Sequence, residues 1–179
     1  MPTTPVLHQA PAAPSPQPTA EGIWQLLEGV LDPEVPVLSI LDLGIVRAVQ
    51  VTDGRIDVTI TPTYSGCPAM SAIATDIRLH LLAEGYADVH ITNQLSPAWT
   101  TDWLSAEGRR KLQEYGIAAP VPGTATGHEL RLFGQATAVC CPLCQSANTK
   151  LINQFGSTAC KALYQCQDCR EPFDYFKCH

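Results

Sequence analysis

Hydrophobic positions along the chain change their period several times, and each change marks an element. In EGIWQLLEGVLD, Ile23, Leu26, Leu27 and Val30 recur at helical spacing. DPEVP ends that helix, because both prolines forbid its continuation and bias the preceding residue towards extended backbone. Two alternating runs follow, GIVRAVQV and RIDVTIT. In the first, Val46, Ala48 and Gln50 alternate with Ile45, Arg47 and Val49; in the second, Ile56, Val58 and Ile60 alternate with Asp57, Thr59 and Thr61. With TDG between them, they predict a β-hairpin turning at Asp53-Gly54. After the loop PTYSGC, the residues Met70, Ile73, Ala74, Ile77 and Leu81 draw one apolar stripe along a second helix. Pro68 suits its first position and Gly85 its stop. ADVHITNQL reads as a third strand, and TTDWLSAEGRRKLQEYGI as a further helix starting near Thr101 or Asp102.

The flanking stretches pack poorly. Residues 1–20 hold six prolines and little that could join a core, the composition of a disordered tail. Residues 118–133 carry Pro and Gly at linker density, and from about residue 134 the chain becomes a compact cysteine-rich module. The expected fold class is therefore α/β: a small two-layer sheet-and-helix domain over residues 21–117, then a zinc-ribbon-like module over 134–179.

Charge narrows the function. The 179 residues carry a formal net charge of −6, and the module over 134–179 is only about +1. Phosphate binding is driven by Lys and Arg releasing counterions, so nucleic acid is not an expected partner. The stretch MPTTPVLHQAPAAPSPQPTA has no Lys or Arg and no apolar run long enough for a signal peptide or a membrane span. No membrane is expected and the cytoplasm is the expected compartment, where thiols stay reduced.

Eight cysteines in that setting point to metal or thiolate chemistry. Cys141 and Cys144 in CPLC, and Cys166 and Cys169 in CQDC, form two C-x2-C knuckles separated by 21 residues. Each knuckle turns two sulfurs towards one point, and two knuckles complete the tetrahedron that Zn2+ takes with four thiolates. Structural zinc is the expected occupant, with iron or a cluster as the alternative. Cys140 adjoins a ligand and reads as a spectator. Cys160, Cys178 and the terminal His179 stay open: a replacement ligand, a second metal point, or inert buried thiols. The aromatic residues Phe155, Tyr164, Phe173, Tyr175 and Phe176 read as core or docking surface.

Cys67 stands apart, between Gly66 and Pro68 at the mouth of the second helix. Unpaired N–H groups and the positive end of the helix dipole favour thiolate there, so its pKa is expected to fall. Gly66 allows a ligand or partner to approach the backbone closely. The plain alternative is a buried cysteine at a helix start. Asp32, Glu34 and Asp42 are candidate supporting acids, or else loop caps. No Ser–His–Asp set, phosphate loop or dinucleotide glycine pattern stands out.

Several stretches together carry a resemblance. LDPEVPVLSILDLGIV, ITPTYSGCPAM and QLSPAWTTDWLSAEGRRKLQEYGIAAP resemble the small α/β domain of SufT-type and cytosolic iron–sulfur targeting proteins, over roughly residues 21–115. CPLCQSANTKLINQFGSTACKALYQCQDCREPFDYFKCH is similar to the C-terminus of the PaaD family, phenylacetate-degradation proteins encoded with the multicomponent phenylacetyl-CoA epoxygenase. The resemblance implies an accessory role in iron–sulfur maturation rather than bond-making catalysis. It implies Cys67 as the reactive, cluster-transferring thiol, and a supporting loop of Asp32, Glu34, Asp42, Gly44, Thr61 and Gly66. It also implies a transient iron or iron–sulfur cluster, held across a homodimer or with the client, and as client the epoxygenase's [2Fe-2S] reductase component. A structural subunit of the oxygenase assembly without cluster chemistry is the rival expectation.

Overall fold

The computed structural model describes residues 17–120 and 139–177. The tail over 1–16, the stretch 121–138, Cys178 and His179 lie outside the described residues.

The chain opens with α1 (Ala20–Leu27), capped by Thr19, whose hydroxyl accepts the Gly22 N–H at 3.1 Å. Ile23 and Leu27 are fully buried on its inner face. The hairpin forms as its pattern predicts, with β1 (Val46–Thr52) antiparallel to β2 (Arg55–Ile60). Asp53 and Gly54 adopt φ values of 51° and 85°, the left-handed pair that a two-residue turn needs to match strand twist. The facing of β1 differs from the expected alternation. A bulge between Val46 and Ala48 shifts the phase, so Val49 and Val51 pack on the core and Gln50 is exposed.

The chain then crosses through α2 (Ala69–Ala83) to β3 (Val89–Asn93), which pairs parallel to β2. The first sheet runs β1-β2-β3, and central β2 buries Ile56, Val58 and Ile60. On α2 the stripe Met70, Ile73, Ile77 and Leu81 is buried as expected. The next helix starts later than the pattern suggests. Thr101–Trp103 form one 3-10 turn, Leu104 is extended, and α3 (Ala106–Glu114) begins only after Ser105. The Ser105 hydroxyl accepts the Gly108 N–H at 2.8 Å, and this local cap outcompetes continuation from Asp102.

The second sheet is formed by β4 (Ile117–Ala118), β5 (Thr149–Asn153), β6 (Lys161–Cys166) and β7 (Pro172–Phe176), in the order β4-β7-β6-β5. The boundary expected at residue 117/118 thus falls inside β4, which pairs parallel to β7. The two sheets share a core. Cys160 and Phe176 of the second unit belong to the same buried cluster as Ile23, Leu38, Ile60 and Trp99 of the first. Trp99 meets Phe176 edge to face at 6.1 Å between ring centroids, and its indole N–H donates to the Leu43 carbonyl at 2.7 Å. Phe173 is buried likewise, and Tyr164 stacks on it. Phe155 alone of the ribbon's five aromatic residues is mostly exposed, with the Lys177 ammonium 4.7 Å from its ring. No helix among the described residues is long and apolar enough to cross a membrane.

Candidate functional site

The four knuckle cysteines come together as their spacing predicts. Cys141 and Cys144 lie in the turn before β5, Cys166 ends β6, and Cys169 closes the turn into β7. Their sulfurs all lie within 4.8 Å of one another. The Cys141–Cys169 pair is 3.8 Å apart and the Cys144–Cys166 pair 3.5 Å. A tetrahedron with Zn–S bonds of about 2.3 Å has edges of about 3.8 Å, so these two pairs lie close to the spacing zinc takes with four thiolates. The Cys169 N–H points at the Cys166 sulfur at 3.5 Å, and that dipole is the main influence drawing the Cys166 thiol down to about 7. Asp168 staples the knuckles together: it accepts from the Ser146 hydroxyl and from the Asn148 amide, the latter at 2.7 Å. Local pattern held no signal for this contact, because its partners are about twenty residues away. Cys140 is exposed and outside the four-sulfur cluster.

Cys67 precedes Pro68, the N-cap of α2, and is half-buried. Its thiol is not activated as the helix dipole suggests. Burial pushes the Cys67 thiol up, the Ala69 N–H draws it down, and the Glu34 and Asp32 carboxylates add to the upward push. One helix N–H does not outweigh partial desolvation plus two acids, so the resting group is the neutral thiol. Tyr64, three residues upstream, hydrogen-bonds the Cys67 side chain.

The acids divide into two groups. Asp32 is buried, and one carboxylate oxygen accepts the N–H groups of Glu34 at 2.9 Å and Val35 at 2.7 Å. Burial raises its pKa, with Glu34 contributing and the two N–H groups opposing. Glu34 lies on this turn, and its contacts run to the ribbon: the Cys160 thiol donates to its Oε2 at 3.3 Å, and the Lys161 ammonium to its carbonyl at 3.4 Å. Asp42, by contrast, is committed to scaffolding. Burial pushes its pKa up, but it is more than offset by the Lys111 ammonium at 2.6 Å, the Ser39 N–H and the Ser105 hydroxyl, so the carboxyl lies below its ordinary range. These bonds tie the 39–44 loop to the start of α3.

Gly44 serves the same joint. Its φ is +67°, and a Cβ there would lie 2.4 Å from the Trp103 carbonyl oxygen. Gly66 adopts φ +136°, a backbone conformation that side chains rarely take, and a Cβ there meets no heavy atom within 4 Å. The loop beside Cys67 is open on that side. The Thr61 hydroxyl is buried without a hydrogen-bond partner among the described residues. Cys160 is 5% exposed, bonded to Glu34, and lies outside the four-sulfur cluster, so it is not a replacement ribbon ligand.

Comparison with known proteins gives this geometry a family. Residues 20–92 match the family described as iron-sulfur cluster assembly protein, and residues 125–177 match the PaaD zinc beta ribbon domain. The chain is 49% identical over 162 residues to an Escherichia coli (strain K12) protein named as one of the subunits of 1,2-phenylacetyl-CoA epoxidase, covering 90% of this chain and 94% of that one. The chain belongs to the PaaD family. Its first half is also 38% identical to an Fe-S protein maturation auxiliary factor of Porphyromonas gingivalis, over 52% of this chain and 90% of the relative. A crystal structure of the domain of unknown function DUF59 from Bacillus anthracis aligns with a TM-score of 0.49 at 25% identity, over 52% of this chain and 90% of that one. This chain therefore joins a match to the iron-sulfur cluster assembly family to a zinc beta ribbon domain that gathers four cysteines.

Proposed function

We propose that this protein is a cytoplasmic iron–sulfur maturation factor for the multicomponent phenylacetyl-CoA epoxygenase, with the [2Fe-2S] reductase component as its client. The observation that carries the reading is the union, in one chain, of an iron–sulfur cluster assembly domain with a PaaD ribbon. Cys67 acts as a transient thiolate ligand for iron or a cluster, and Asp32, Glu34, Thr61 and Gly66 shape its surroundings. Its resting state as a neutral thiol suits transfer: a ligand that regains its proton readily releases its cargo. Cys141, Cys144, Cys166 and Cys169 hold structural zinc, which supplies folding energy to a unit with a small core of its own.

The test is client repair. The epoxygenase components are produced with wild-type protein, with Cys67→Ala, or with no copy, and [2Fe-2S] is quantified in the purified reductase. Cluster content is expected to fall as far with Cys67→Ala as with no copy. A second reading, a structural component of the epoxygenase complex without cluster chemistry, is favoured by the name of the Escherichia coli relative, which places that protein among the epoxidase's subunits. Full cluster content with Cys67→Ala, together with loss of complex when a ribbon cysteine is replaced, selects that second reading.

A further inference from the structure

Lys161 is the one Lys or Arg that is buried among the described residues, 7% exposed at the first position of β6. A buried ammonium is costly unless oxygens surround it. Here the Ser157 hydroxyl accepts from it at 3.0 Å and donates in turn to Asp174 Oδ2 at 3.1 Å. Asp174 Oδ2 itself lies 4.0 Å from the ammonium. A third oxygen comes from outside the ribbon. It is the Glu34 carbonyl of the first unit, at 3.4 Å, and the neighbouring Cys160 thiol bonds the same residue at Oε2. Two consecutive residues of the ribbon thus hold one residue of the 32–35 turn, by its main chain and by its side chain.

The loop that carries this pair is fixed by its own backbone. The Gly156 N–H donates to the Lys161 carbonyl at 2.8 Å, the Lys161 N–H to the Thr158 carbonyl at 3.1 Å, and the Lys177 N–H to the Cys160 carbonyl at 2.9 Å. From there β6 leads to the four-cysteine centre. It begins at Lys161 and ends at Cys166, one of the four sulfurs, a span of roughly 17 Å at the usual rise of a strand. Its register is set on both sides, by β5 and by β7. On β7 the residue opposite Lys161 is Phe176, which packs on Trp99 of the first unit. Across the junction, the turn is closed by the Glu34 and Val35 N–H groups on one oxygen of Asp32.

We infer that Cys160 and Lys161 form a clamp through which zinc loading of the four-cysteine centre orders the 32–35 turn, with β6 as the strut between them. The inference rests on the proposed zinc and gives that ion a second task. With the Cys166 end of β6 held, the Lys161 end keeps its ammonium and the Cys160 thiol on Glu34. With the knuckles open, β6 loses its far anchor and the turn is left to the two bonds of Asp32. Such coupling is reciprocal: a turn that holds the clamp also holds β6 in place for the metal. The acids Asp32 and Glu34, proposed to support the first unit's function, are then set in place in a chain whose ribbon is loaded.

Amide hydrogen exchange of the full-length protein by NMR tests this, with zinc and after a strong chelator, and with zinc content measured in each sample. The Ile56 N–H, bonded to the Asp88 carbonyl in the first unit, is the reference. In wild type, chelation is expected to speed exchange at Glu34 and Val35 roughly tenfold or more relative to Ile56. Lys161→Met keeps the length of the side chain and drops its charge. It is expected to bind zinc with the stoichiometry of wild type, yet to exchange several-fold faster at Glu34 and Val35 when loaded. By reciprocity its zinc affinity, measured by competition with a chromophoric chelator, is expected to fall several-fold. If chelation speeds the Cys141 and Cys166 amides but leaves Glu34 and Val35 level with Ile56, the inference is overturned and the zinc reading survives. Turn protection and zinc affinity equal to wild type in Lys161→Met overturn it as well. If the protein binds no zinc, both fall. Should Lys161→Met not fold, the wild-type comparison decides alone.

Discussion

At the scale of single residues, identical side chains here have unlike chemistry because their neighbours differ. The Cys166 thiol is drawn down by the Cys169 N–H, whereas burial, with Glu34 adding to it, pushes the Cys160 thiol up to about 12. Cys67 is also raised, by burial first and by Glu34 and Asp32 after the opposing Ala69 N–H. Alkylation requires the thiolate, so Cys67 is expected to react slowly at pH 7, to gain rate steadily as pH rises, and to level off only above the pH at which an ordinary thiol does. Glu34→Gln removes one of the charges that oppose ionisation, and is expected to raise the Cys67 rate at pH 7 several-fold. Iodoacetamide labelling followed by peptide mass spectrometry across pH measures both. An unchanged or slower rate in Glu34→Gln contradicts the assigned cause. Residue identity alone misled here: Cys67 next to Pro68 suggested activation by the helix, and the carboxylates that oppose it, Asp32 and Glu34, come from a distant turn upstream.

At the scale of elements, local chemistry was largely legible. The Asp53-Gly54 turn, the alternation of β2 and the stripe of α2 follow from short-range sterics and periodicity, which operate within a few residues. The bulge in β1 and the late start of α3 were not legible, because each is decided by a competition between neighbouring options of similar energy. The DPEVP turn shows what its first residue does. Asp32 uses one oxygen to satisfy two backbone N–H groups, and its charge is disfavoured by burial. Asparagine keeps that acceptor and drops the charge. Asp32→Asn is therefore expected to hold or slightly raise stability, while Asp32→Ala leaves both N–H groups unsatisfied and costs about 1–3 kcal/mol. Urea denaturation of the two variants separates these outcomes; equal losses would mean that the carboxylate charge itself holds the turn.

At the scale of the whole molecule, the two units are fused through packing. Phe176 on Trp99, Cys160 against Glu34 and β4 on β7 tie the ribbon to the main core, while Cys141, Cys166 and Phe173 keep a small cluster of their own. Removing the zinc proposed for the four-cysteine site is therefore expected to be felt throughout. Structural zinc contributes on the order of 10 kcal/mol to small ribbons. Even a fraction of that, at about 2–4 °C per kcal/mol for a chain of this size, lowers Tm by roughly 10 °C or more. Calorimetry with and without a strong zinc chelator is expected to show the first unit's unfolding shifting down with the ribbon's. Trp99→Ala is expected to uncouple them into two transitions. A first-unit transition unmoved by chelation in wild type would show that the shared core carries little energy.

Composition and spacing by themselves determined the α/β order, the hairpin and the four-cysteine centre, since a C-x2-C knuckle brings its two sulfurs together whatever the rest of the chain does. They also marked Cys67 as unusual. Only the tertiary structure decided what surrounds it. It separated Asp42 and Gly44, which brace α3, from Asp32 and Glu34, whose charges push the Cys67 thiol up. It also brought Cys160 to Glu34 across 126 positions of chain. Contacts that distant leave no periodic trace, because they are set by how two separately folded surfaces meet.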